Sequence, residues 1–145
     1  MSRLFNTNYN HRSLDIALLI FRVSIALLML THGIPKFNTL LAGGEIKFPD
    51  PIGVGAVLSL VFAVFAEAFC SILIFLGLAT RLAVLPLIIT MLVAVFIIHA
   101  EDGLVKQEAG LHYLLAYVLL LFAGSGRFSI DSLISRKTSR SKRNY

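Results

Sequence analysis

The sequence predicts an all-α integral membrane protein, a four-helix bundle with both termini on the cytoplasmic side. Three observations predict it. First, the 145-residue chain is 57% apolar and 14% charged, with a mean hydropathy of +0.84, whereas soluble domains average roughly 45–50% and about 25%. Second, four apolar stretches approach the length of a membrane span. Third, basic residues are shared unequally between the connections. So small a fold cannot hide that much apolar surface from water, which excludes a soluble enzyme and a disordered chain. Cys70 is the single cysteine, which excludes a disulfide scaffold.

A spanning helix needs about 20 residues, because each rises about 1.5 Å through hydrocarbon about 30 Å thick. The first stretch, residues 15–34, is expected to end at Gly33 and Pro35, since proline removes a donor and biases Ile34 away from helix. Arg22 interrupts its apolar run, unlike a cleaved signal. Residues 41–55 hold Gly43, Gly44, Pro49, Pro51 and Gly53 and read as a loop. The second span covers 54–78, and Gly77 with Thr80–Arg81 marks a tight hairpin. The third covers 81–100, with Pro86 as a tolerated bend. Gly103 connects it to the fourth, 107–123, which Gly124 and Gly126 close. Barrel strands would alternate apolar and polar residues, and Ala56–Phe69 does not. Residues 1–131 thus form the membrane domain, and 132–145 a basic, mobile tail.

The net charge is +5. Much of the surplus lies in Arg136, Lys137, Arg140, Lys142 and Arg143, without interleaved aromatics. That pattern favours an anionic leaflet over nucleic acid. With the N-terminus inside, those five join Arg3, Arg12, Arg81 and Arg127, nine basic residues against Lys36, Lys47 and Lys106 outside. The positive-inside rule then puts both termini in the cytoplasm.

Ionisable groups within a span are expensive, so they face the interior and find partners. Arg22 lies roughly 10 Å from the inner end of the first span, and Glu67 roughly 16 Å from that of the second, by rise per residue. An Arg22–Glu67 pair is therefore expected, acting either as a polar staple or as a proton relay or ligand anchor. Ala56, Ser59, Ala63, Cys70 and Ser71 form a small-residue stripe around Glu67, with Phe62, Phe65, Phe69, Leu73 and Leu76 mostly opposite. Cys70 reads as an apolar filler or a redox thiol.

A second polar group gathers at the outer face: His32, Lys36, His99, Glu101, Asp102, Glu108 and His112. Imidazoles with Glu108 suit a transition metal, although no compact metal motif is present. Alternatively, His and Lys donate to a quinone carbonyl and exchange protons. A third reading makes them amphipathic anchors. Tyr113 and Tyr117, one turn apart, suit ring stacking or an interfacial belt.

The order of these residues resembles the DoxX family from Ile16 to Leu133. Arg22 is followed by His32-Gly33-Ile34-Pro35-Lys36, similar to that family's HGxxK element. Ala66-Glu67 comes next, then Leu76-Gly77-Leu78-Ala79-Thr80-Arg81, similar to LGLxTR. His99 and Glu108 flank the third loop. Gly124-Ser125-Gly126-Arg127-Phe128-Ser129-Ile130-Asp131 resembles GxGxxSxD. The resemblance implies a four-helix inner-membrane protein associated with thiosulfate:quinone oxidoreductase and membrane redox complexes. It carries over Arg22, His32, Lys36, Glu67, His99 and Glu108; His112 joins by its spacing from Glu108. In the terminal motif, Ser129 suits the cap of a surface helix starting near Ile130, with Asp131 in its first turn.

The expected function is a quinone-linked redox subunit. Glu67, His32 and Arg22 would be catalytic, and Lys36, His99, Glu108 and His112 would hold the cofactor. With no flavin or iron–sulfur motif, electrons would come from a partner protein or a small reductant. A homo-oligomer is a further expected partner. The alternatives are a transporter or solute-binding protein, and an assembly or anchoring subunit.

Overall fold

The structure is a computed structural model that describes residues 10–141, with side chains through residue 137. Every regular element among them is helical. Helix α1 (His11–Ala42) starts where the Asn10 side chain accepts hydrogen bonds from the amides of Arg12 and Ser13. Helix α2 (Ala56–Leu76) contains a π-helical turn at Phe65–Cys70. Helix α3 (Thr80–Ile98) ends in another at Ala94–Ile98. These are the three helices, among the described residues, long and apolar enough to cross a membrane. Helix α4 (Leu104–Ala123) is also 20 residues long but opens with Lys106, Gln107 and Glu108. Helix α5 (Ile130–Ser141) is short and basic.

Successive helices pack side by side: α1 most extensively against α2, α2 against α3, and α3 against α4. Met29, Ile74, Leu87, Tyr117 and Leu120 meet in the core. The outside is apolar too, with Ile20, Phe62, Ile89 and Phe122 well exposed, as suits lipid. The stripe on α2 is as expected. Ser59, Ala63, Glu67, Cys70 and Ser71 are buried, while Phe62, Phe65, Phe69 and Leu76 are exposed.

Two expectations fail. First, α1 does not stop at Gly33 and Pro35 but continues to Ala42. Pro35 removes the ladder bond to the Thr31 carbonyl, and packing on α2 at Gly33 and Lys36 carries the helix through it. Thr31 donates to the Leu28 carbonyl and Thr39 to that of Pro35. Gly33 serves a close crossing instead: a Cβ there would lie 2.6 Å from the Glu67 carbonyl carbon and 2.7 Å from the Ala68 nitrogen. Second, the surface helix expected near Ile130 does form but runs to Ser141, into the segment read as a mobile tail. Ser129 Oγ accepts from the Ser132 amide at 3.2 Å, capping that helix. The remaining tail residues 142–145 lie outside the described residues, as does Arg3.

The turn between α2 and α3 is tight. Gly77 and Ala79 both have positive φ, 69° and 48°. Ala79 is strained there, because a Cβ disfavours the left-handed region. Asp131 holds the turn by accepting from the amides of Ala79 (2.7 Å) and Thr80 (3.1 Å).

Candidate functional site

The close crossing at Gly33 sets the site. One turn beyond it, the extension of α1 brings Lys36 onto the π-helical turn of α2. Lys36 Nζ donates to both carboxylate oxygens of Glu67, at 2.5 and 2.6 Å. Glu67 is 3% exposed, whereas the Lys36 side chain is 31% exposed. A buried carboxylate thus meets an ammonium that still reaches the surface.

Beside the pair lies a cavity of about 370 Å³, lined by Phe48, Pro51, Ile52, Phe62, Phe65, Ile89, Val93 and Ile98 among others. Both π-helical turns and Pro86 contribute to its wall. Such turns widen a helix and recur at functional sites. The loop between α1 and α2 forms one side, and Lys36 Nζ sits 5.8 Å from the centre of the Phe48 ring. Asp50 ties that loop down by accepting from the Val54 amide (3.0 Å), the Gly55 amide (2.8 Å) and Ser59 Oγ (2.8 Å). These bonds, the one from Gly55 foremost, hold its carboxyl below the usual carboxylate range.

The expected Arg22–Glu67 pair does not form. Arg22 is buried, and its guanidinium donates to the carbonyls of Ile74 (2.6 Å), Phe75 (2.8 Å) and Phe128 (2.9 Å). Its Nε finds no acceptor. The reason is register. The antiparallel helices cross with Gly33 at Glu67–Ala68, so the α1 residue eleven places earlier meets α2 about 16 Å away, at its C-terminal end. There Arg22 satisfies carbonyls that a helix end leaves free.

The outer residues do not share one centre. His32 is exposed, its ring edge-on to Tyr113 at 5.9 Å, and Tyr113 stacks on Tyr117 at 6.2 Å. The Tyr117 hydroxyl is buried without a partner. His99 Nδ1 pairs with Asp102 at 2.7 Å, and Lys106 approaches the same carboxylate at 3.1 Å. Hydrogen bonds from both, that of His99 first, keep the Asp102 carboxyl below its ordinary range. His99 therefore belongs to the turn between α3 and α4. Glu108 and His112 occupy exposed positions on α4. Among the described residues no three His, Cys, Asp or Glu side chains are placed to hold a metal ion. Lys36 and Glu67 line the cavity, whereas Arg22, His32, His99, Glu108 and His112 do not.

The sequence profile of the DoxX family matches residues 17–100. The chain belongs to the DoxX family. An uncharacterised protein of Haemophilus influenzae is 30% identical to it, over 83% of this chain and 85% of the relative. A membrane protein of Mycobacterium tuberculosis, also uncharacterised, is 28% identical, over 81% of each. CatD of Bacillus subtilis, which carries a provisional oxidoreductase assignment, is 26% identical, over 86% of this chain and 91% of its own. No solved structure matches the chain. The DoxX match contains Arg22, Lys36 and Glu67 but stops before Glu108, His112 and the 124–131 turn.

Sequence reasoning missed Asp50 and Phe48. An aspartate between Pro49 and Pro51, ahead of Gly53 and Gly55, was a readable turn signal. Phe48 left none, because its role depends on how the loop folds over Lys36.

Proposed function

We propose that this DoxX protein is a quinone-linked redox protein of the bacterial inner membrane, and that the cavity beside Lys36 and Glu67 receives the quinone ring. One observation supports this above the others: an apolar, partly aromatic cavity is lined by a buried carboxylate paired with a part-exposed ammonium. Its volume, about 370 Å³, lies within the usual range for small-molecule sites, about 300–1,000 Å³. A bound quinone supplies two-electron, two-proton redox chemistry.

The chain's own groups handle position and protons. Lys36 Nζ donates a hydrogen bond to a ring oxygen while staying near Glu67. Glu67 takes up or releases a proton at its carboxylate, shielded from bulk water. Phe48, Phe62 and Phe65 give the ring flat apolar neighbours. His32, exposed beside Tyr113, exchanges protons with water. Arg22 holds the scaffold. Electrons come from a partner protein or a small reductant. In this reading α4 completes a four-helix bundle, and both termini are cytoplasmic, as the nine-to-three distribution of basic residues favours.

The test is binding of a decyl-substituted benzoquinone to the full chain in lipid nanodiscs. Saturable binding is expected, weakened about tenfold or more in Glu67→Gln and Lys36→Ala, as loss of a charge-assisted hydrogen bond implies. Helicity should be unchanged. No binding by the wild type, or equal binding by both variants, overturns the proposal.

A further inference from the structure

A second cavity, of about 480 Å³, lies at the other end of the molecule, where α2 ends and α3 begins. Its wall includes Arg81, Leu82, Asp131 and the Gly124–Gly126 turn. Arg81 Nη2 donates to the Phe122 carbonyl at 3.2 Å, which fixes the guanidinium at the rim. Gly124 faces it: a Cβ there would lie 3.3 Å from Arg81 Nε. Within the cavity wall, Thr80 Oγ1 is buried without a hydrogen-bond partner.

The charges leave Arg81 available. Asp131 is the carboxylate in the wall, but both its oxygens accept from the turn amides, and its charge acts on buried Arg22. Asp15 is likewise engaged, accepting from the Arg127 amide at 2.9 Å. Arg127 follows the Gly124–Gly126 turn directly, and Arg136 and Lys137 lie further along α5.

The apolar surroundings separate a lipid from a free ion. Leu82, which follows Arg81, is 69% exposed, and Phe122, whose carbonyl accepts from Arg81, is 78% exposed. Leu133 and Ile134 of α5 are exposed beside basic Arg136 and Lys137. That mixture is typical of a helix lying in the headgroup plane.

We infer that the cavity between Arg81 and the Gly124–Gly126 turn seats the phosphate of an anionic phospholipid, with acyl chains running along Leu82 and Phe122. α5 lies beside it in the interface. The site is independent of the quinone cavity.

Native mass spectrometry of the full chain, released from detergent with equimolar phosphatidylglycerol and phosphatidylcholine, tests it. Phosphatidylglycerol should be retained preferentially. Arg81→Gln should lower that preference about fivefold, the expected effect of one basic residue at a charged surface. Arg81→Lys should keep most of it, and circular dichroism should show all three proteins folded alike. Equal retention of the two lipids, or an unchanged preference in Arg81→Gln, overturns the inference. Displacement of phosphatidylglycerol by millimolar inorganic phosphate assigns the cavity to the free ion and overturns the lipid assignment.

Discussion

Two buried charges, one on α1 and one on α2, are neutralised in different ways. Arg22 donates hydrogen bonds only to backbone, three carbonyls at the end of α2 and in the 124–131 turn, with the Asp131 charge acting on it. Glu67 meets one side chain, Lys36, with a cavity alongside. Carbonyls cannot change their charge or move far, so the first arrangement is a clasp. A lysine that is part-exposed can swing, and a carboxylate can take a proton, so the second is able to work. The two charges lie about 16 Å apart along the helices, and the kind of partner separates their roles.

The largest effect should come from breaking the clasp. Arg22→Ala strands the carbonyls of Ile74, Phe75 and Phe128, at about 3–5 kcal/mol in total. Thermal unfolding in detergent should show a large drop in midpoint. A variant that kept its stability but lost quinone binding would move Arg22 into the site and erase the contrast.

Next comes the crossing that keeps the two charges apart. Gly33→Val pushes a side chain into the Glu67 backbone, at about 1–3 kcal/mol for overpacking. It should also weaken quinone binding, because Lys36 rides on the same helix one turn away. Unaltered binding with lowered stability would mean that the Lys36–Glu67 contact does not depend on this packing.

The smallest effect belongs to the loop. Asp50 has a carboxyl held below its ordinary range, so it binds protons less readily folded than unfolded. Its contribution is therefore present above about pH 4, the unfolded value, and fades as pH falls through the lower folded value. Asp50→Asn should flatten the acid limb of an unfolding curve measured between pH 6 and pH 2. A limb of the same steepness in the variant would assign the acid sensitivity to other carboxylates.

The sequence carried the spans because apolar length is a direct consequence of bilayer thickness. It also carried the buried face of α2, since small and bulky residues alternate there at helical spacing. The pairing of charges was not legible. Counting depth from the end of each span needs correct ends, and Pro35 concealed eight residues of α1, 35–42. Interhelical register is set by Gly33 against Ala68, a contact between two chains of local structure that no single-helix count contains. Lys36 was recognised, but as an outer residue, because stopping α1 early removed it from the face that meets Glu67. The outer histidines looked convergent because they share a level. Sharing a level says nothing about azimuth, and His99 turns to Asp102 instead.

The latch at Asp50 has a consequence for how a guest arrives. With the loop fastened to the start of α2, Phe62, Phe65 and Ile89 of the cavity wall are also exposed on the outside of the helices. In the quinone reading, this exposed apolar wall gives a guest a lateral way in from the lipid. A greasy guest is already concentrated there by partitioning, so a weak grip suffices for high occupancy, and a rapid turnover of guests is compatible with it.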